Sequence, residues 1–260
     1  MMIMVLFFMG CSSKLPQNYK RIALVVANEN YEGNRRLKTP IKGAEVLRQT
    51  LDTIGYEVIS LDDATFKTLE EKLRIVEDKV KKHLQANYKT ILYIYFAGHG
   101  HTQRNRTAEA FVELLANKYE NKYVSNYYLY DKIKNIKSTY NIISIDACLD
   151  SVRKKHGKYV YGNAKYIPNN ILLSYATGFT QKAEDSMNPH NINAYSYYTT
   201  SLIEQLQRAE KVSVQRVFNF IEREVKQKTH GLQTSFHFST LDTKIVFPST
   251  NHQPADFYPN

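Results

Sequence analysis

A chain of 260 residues has ample material for a hydrophobic core and can build one large α/β domain or two small ones. Its net charge of +10 is spread over many segments with no long block of one sign, and no RNA- or DNA-binding motif accompanies it. A nucleic-acid partner is therefore not expected, and the excess of lysine reads as solubility.

The chain opens on an apolar stretch, Met1 to Gly10, followed by Cys11 and Ser12-Ser13-Lys14. The stretch is too short to span a bilayer. It resembles a bacterial lipoprotein signal, with Gly10 just before a cysteine that would take the lipid. On that reading residues 1–20 are a signal and tether, Cys11 is the lipid attachment site, and the protein is anchored to the bacterial cell envelope. The other reading is a hydrophobic start on a cytoplasmic protein. If Cys11 is acylated, Cys148, the second of 2 cysteines, has no disulfide partner.

Arg21 to Ala27 is a continuous apolar run and predicts a central strand, with Asn28 to Gly33 as the loop leaving it. Thr39-Pro40 supplies an N-cap and a proline at the first helical position. Ile41, Ala44, Leu47, Leu51 and Ile54 then recur at helical spacing until Gly55. Tyr56 to Leu61 predicts a second strand. Thr68 to Glu71 has capping-box spacing ahead of a stripe through Leu69, Leu73, Val76, Val80 and Leu84. Next comes Ile91 to His101, a buried strand ending on a histidine between Gly98 and Gly100. From Thr102 to Asn126 the chain is polar, with an apolar patch at Ala110 to Leu115 that reads as a short strand or flap.

Ser125 or Asn126 caps a helix through Leu129, Ile133 and Ile136, which leads into a second buried run, Asn141 to Cys148. A basic connection from Arg153 to Lys158 follows, then a strand at Asn170 to Ala176, a loop to Ala194, and a helix from about Ser196 to Leu206. Ser213 caps a last helix with Val214, Val217, Phe218, Ile221 and Val225 on one face. Lys244 to Phe247 predicts a terminal strand, and residues 249–260 a disordered tail. The repeated strand–helix–strand order predicts an α/β fold with a doubly wound, mostly parallel sheet and helices on both faces.

Open α/β sheets bind ligands beyond the carboxyl ends of their strands, where both His99 and Cys148 would stand. Cys148 follows His99 by 49 residues, the spacing expected of a caspase-type cysteine peptidase. The motifs agree. Tyr95-Phe-Ala-Gly-His-Gly100 resembles the histidine motif of the caspase, metacaspase and bacterial orthocaspase superfamily (peptidase family C14), and Ile145-Asp-Ala-Cys148 resembles its cysteine motif. Tyr175-Ala-Thr177, followed by Gln181, Ala183 and Asp185, resembles the loop after the next strand in bacterial members. The resemblance runs from about Arg21 to Phe247, within a domain taken as residues 21–248, and implies the caspase-like three-layer sandwich.

A thiolate attacks carbonyls, and a neighbouring imidazole can take the thiol proton and later protonate the leaving amine. Cys148 is therefore the expected nucleophile and His99 the general base and acid of a cysteine endopeptidase acting on polypeptide substrates. The resemblance implies an oxyanion hole from the N–H groups of Gly100 and Cys148. No third triad member is evident. His101 reads as an exposed loop residue, and His83, His156, His190, His230, His237 and His252 as solvated.

Caspases that cut after aspartate resemble this chain but carry glutamine and arginine where it has Asp146 and Asp185. Carboxylates there invert the pocket and imply cleavage after Arg or Lys. Lys42-Gly43-Ala44 stands where relatives carry Asn-Asp-Ala, so one expected acid is missing. The basic connection reads either as a solvated loop or as a site of self-processing. The resemblance allows calcium activation, but no loop of spaced carboxylates suggests a metal site, so no cofactor is expected. A caspase fold kept as a latent regulatory or scaffolding module is the other functional class, and Leu149 after the cysteine leaves room for it.

Overall fold

The computed structural model describes residues 19–104, 106–115, 122–152, 157–163, 167–183, 195–208 and 212–248. In chain order its elements are β1 (Tyr19–Ala27), α1 (Pro40–Thr53), β2 (Glu57–Asp62), α2 (Phe66–Gln85), β3 (Lys89–Ala97), β4 (Gly100–Gln103), β5 (Arg106–Leu114), β6 (Lys122–Ser125), α3 (Asn126–Ile136), β7 (Tyr140–Asp146), β8 (Ser151–Val152), β9 (Lys158–Val160), β10 (Ile171–Tyr175), α4 (Tyr197–Arg208), α5 (Val214–Lys228) and β11 (Phe236–Ser239).

The main sheet runs β11-β10-β7-β3-β1-β2. Its pairs are parallel except for β10 with the edge strand β11. The central strands are apolar without alternation because both of their faces are covered. Along β1, Ile22, Leu24 and Val26 enter the core shared with α2 and α3, while Ala23, Val25 and Ala27 enter the core shared with α1, α4 and α5. β3 divides in the same way, with Leu92, Ile94 and Phe96 on one side and Ile91, Tyr93, Tyr95 and Ala97 on the other. Each large side chain so buried contributes about 1.5–3 kcal/mol. The result is the expected three-layer sandwich.

The helices follow their apolar stripes: Leu69, Leu73, Val76 and Val80 are the buried face of α2, and Val214, Val217, Phe218, Ile221 and Val225 that of α5. Local chemistry moves one cap. The capping box lies at Thr65 and Thr68, so α2 begins a turn earlier than the Thr68–Glu71 spacing suggests. Thr39 occupies the N-cap position of α1 without a side-chain cap bond, leaving Pro40 as the start signal.

Four expectations are corrected. The sheet edge is β11, and Lys244 to Phe247 contributes a single bridge, Val246 with Ser213. The polar stretch after His99 is a second sheet of order β8-β4-β5-β6-β9. In it His101 is fully buried rather than an exposed loop residue. Its ring stacks on Phe111 at 5.6 Å and meets the edge of Tyr123 at 5.0 Å, and its Nε2 is 3.1 Å from the hydroxyl of Tyr159. His237 is also paired rather than solvated, with Nδ1 2.6 Å from Glu222. The tail at 249–260, and the histidines at 156, 190 and 252, lie outside the described residues.

Candidate active site

β3 and β7 are neighbours, and their register sets Ala97 opposite Asp146. His99 and Cys148 are each two residues further on, so they leave adjacent strands, ~4.8 Å apart, at the same height above the sheet. Chain order 2-1-3 around β1 puts the switch point of the sheet between β1 and β3, beside the strand that carries His99. Gly98 and Gly100 make the turn possible by close approach. A Cβ on Gly98 would lie 2.5 Å from the Tyr31 hydroxyl, and one on Gly100 2.8 Å from the Ala147 Cβ and 2.9 Å from the Cys148 carbonyl oxygen.

His99 is held from three directions. Its main-chain N–H donates to the Tyr31 hydroxyl (2.9 Å), and the Tyr31 ring lies 4.4 Å from the imidazole, centre to centre. Its carbonyl accepts from the N–H of Glu113 on β5 (2.8 Å). On the ring, Nε2 is 2.7 Å from the carbonyl oxygen of Arg35. A carbonyl only accepts, so Nε2 carries the hydrogen and the neutral imidazole keeps its lone pair on Nδ1. The third orienting group is thus a main-chain atom, to which no residue type in the sequence points. Tyr31 and Glu113 are likewise absent from the motifs; Asn28 to Gly33 reads only as a loop in the sequence.

The Cys148 sulfur accepts from the Ala183 N–H (3.3 Å). Burial pushes the thiol up; the Ala183 hydrogen bond and Lys182 oppose this, while Asp150 and Asp146 add to it. The raised pKa favours the protonated thiol over the thiolate. Leu149, the departure from the family motif, points away from the chemistry: it is fully buried, and its N–H and carbonyl are tied to Gln181 (2.9 Å) and Thr180 (2.8 Å).

A cleft of about 90 Å³ joins these residues, lined by Leu37, Thr39, Pro40, Gly43, Tyr95, Gly98, His99, Asp146, Cys148, Ala183, Tyr195, Ser196 and Thr199. Asp146 is 8 % exposed. Its Oδ2 accepts from the hydroxyls of Ser196 and Thr199, and the Tyr95 hydroxyl stands 3.5 Å away. Ser196 Oγ also accepts from the N–H of Thr199 (3.0 Å) in the first turn of α4, so the carboxylate sits at a helix N-terminus, where negative charge is favoured. Neutral hydroxyls and a helix N-terminus thus surround the carboxylate in the lining of the cleft. Gly43 belongs to the wall, where a Cβ would be 3.1 Å from Thr199 Cγ2.

His99, Gly100, Asp146 and Cys148 are therefore together. Asp185 and Cys11 lie outside the described residues. Among the described residues no group of three or more His, Cys, Asp or Glu is placed to hold a metal ion, and no helix is long and apolar enough to cross a membrane.

No curated protein sequence matches the chain. The crystal structure of caspase-1 from Spodoptera frugiperda is similar in fold, with a TM-score of 0.60 at 14% identity, over 91% of this chain and 92% of that one. The caspase domain profile, Peptidase C14, matches residues 20–246. That match covers nearly all of the folded region, from the first strand to the last core contact at Phe247, and the chain belongs to the caspase domain family.

Proposed function

We propose that the protein is a cysteine endopeptidase that cuts polypeptides after Arg or Lys through the pair Cys148 and His99. The observation that supports this most is the register of β3 and β7, which brings the two residues to one level beside a cleft lined in part by Asp146. Nδ1 of His99 takes the thiol proton as sulfur attacks the scissile carbonyl, and the Arg35 carbonyl steadies the imidazolium through Nε2. The oxyanion of the tetrahedral intermediate is received by the N–H groups of Gly100 and Cys148. His99 then gives its proton to the leaving amine, and water releases the acyl group from sulfur.

The side chain before the scissile bond enters the cleft toward Asp146. A guanidinium or ammonium there gains a charge-assisted bond, whereas a carboxylate would face a like charge. Asp185 is the second acid of this pocket by family resemblance. Labelling with a peptidyl chloromethyl ketone carrying Arg tests the reading: Cys148 alkylates in the wild type and far more slowly in His99→Ala. Labelling independent of His99 would instead favour a caspase-fold module with a regulatory or scaffolding role.

Two extensions rest on sequence. Lipid on Cys11 would tether the enzyme to a bacterial envelope, which metabolic labelling with a palmitate analogue tests; an unlabelled protein removes the tether. Cleavage in the basic connection at Arg153 to Lys158 would be self-processing, and a Cys148→Ala protein that fragments as readily as wild type removes that.

A further inference from the structure

The turn that carries the Arg35 carbonyl has little of its own to hold it. None of Gly33, Asn34 and Arg35 is buried, and the chain on either side is gathered by one acceptor, the carbonyl of Glu29, which takes the N–H groups of Tyr31 (2.9 Å) and Leu37 (3.0 Å). Among the described residues, an ion pair anchors the turn through the Arg35 side chain. Arg35 Nη1 lies 2.7 Å from Oε1 of Glu113, whose side chain is fully buried while that of Arg35 is 36% exposed. Glu113 is the residue whose main-chain N–H holds the carbonyl of His99, and its own carbonyl accepts from the Tyr31 hydroxyl (3.0 Å) and from Asn28 Nδ2 (3.2 Å).

We infer that the Arg35–Glu113 ion pair is a positioning device for the imidazole of His99. Glu113 grips the histidine backbone with its main chain and the Arg35 turn with its carboxylate, so one residue on β5 sets the separation between the ring and the carbonyl that orients it. Neither side chain touches the reacting atoms. The pair fixes the tautomer: with the Arg35 carbonyl in reach of Nε2, the hydrogen stays there and Nδ1 is the basic nitrogen. When the turn drifts, the ring loses that acceptor, the two tautomers become closer in energy, and the fraction able to deprotonate Cys148 falls. A misplacement of about 1 Å in such a site is enough to slow a reaction on the order of 100-fold.

This inference rests on the peptidase reading for its kinetic readout but not for its spectroscopic one. The test compares wild type, Arg35→Lys, and the double variant Arg35→Ala/Glu113→Gln, which removes the pair without leaving a buried carboxylate unmatched. Turnover of an Arg fluorogenic peptide is measured together with the ¹⁵N shifts of the His99 imidazole, assigned by their loss in His99→Ala. The expected result is a kcat about 10-fold or more below wild type in the double variant with KM within about 2-fold, a His99 signal shifted from Nε2–H toward a mixture of tautomers, and Arg35→Lys lying between. Unchanged kcat and an unchanged tautomer in the double variant overturn the inference. If no variant, wild type included, cleaves peptide while the tautomer still shifts, the positioning role stands and the peptidase reading is what fails.

Discussion

The Oγ1 of Thr199 lies 2.5 Å from the Oδ2 of Asp146, a bond that joins the first turn of a helix to the end of a central strand within the lining of the cleft. Hydrogen bonds to a buried charge are worth about 1.5–3 kcal/mol each. Thr199→Val is therefore expected to lower stability by about 1–2 kcal/mol and to raise KM for an Arg peptide several-fold. Asp146→Asn removes the charge itself, and kcat/KM for that peptide is expected to fall on the order of 100-fold, equivalent to ~3 kcal/mol. Steady-state kinetics and thermal unfolding of the two variants check both figures.

The pH dependence of Cys148 follows from its surroundings. Burial raises the thiol pKa, and Asp150 and Asp146 push the same way. A raised pKa keeps sulfur protonated at neutrality, so alkylation by iodoacetamide is expected to be slow at pH 7 and to climb as pH rises beyond the ordinary thiol value of about 8.5. Asp150→Asn removes a neighbouring negative charge and shifts the curve to lower pH. A rate already at its plateau below pH 7 would mean a preformed thiolate–imidazolium pair.

Gly100 leaves no room for a side chain between β4 and the cysteine loop, since a Cβ would meet Ala147 Cβ at 2.8 Å, the Cys148 oxygen at 2.9 Å and the Phe111 oxygen at 3.0 Å. Two of these neighbours are main chain and cannot step aside cheaply. Gly100→Ala is expected to cost about 1–3 kcal/mol of stability and to reduce kcat at least 10-fold by displacing the N–H assigned to the oxyanion. Melting curves and kcat, measured on the same preparation, separate the two effects.

Gly43 presents the opposite case. A Cβ there would approach Thr199 Cγ2 at 3.1 Å and Tyr195 Cβ at 3.6 Å, contacts that a shift of a few tenths of an ångström relieves. Gly43→Asp restores the acid that family members carry at this point of the first helix. KM for Arg and Lys peptides is expected to drop several-fold, with no gain for an Asp peptide, in a side-by-side peptide assay.

Much of this was legible in the sequence where burial writes a period. The apolar runs of β1, β3, β7 and β10 and the stripes of α2 and α5 are visible because a core covers them on both faces or on one. His99 and Cys148 were legible because their motifs close those runs. His101 was not: Gly100 to Gln103 is polar, and its burial comes from Phe111, Tyr123 and Tyr159, residues brought over it by pairing distant in sequence. β11, four residues with Phe238 46% exposed, has no continuous apolar signal. The orienting contact of His99 comes from the carbonyl of Arg35, an atom every residue possesses, and so leaves no trace in composition. The hydroxyls on Asp146 were hidden for a related reason, because serine and threonine at a helix start read as caps, and here Ser196 does both jobs.

The most direct test of the central claim is a panel of fluorogenic peptides differing only at the residue before the scissile bond, with Arg, Lys, Asp or Leu, assayed with wild type, His99→Ala and Cys148→Ala. Turnover of the Arg and Lys peptides, abolished in Cys148→Ala and severely reduced in His99→Ala, is the predicted result. Faster turnover of the Asp peptide, or Arg cleavage that survives the loss of Cys148, would contradict it.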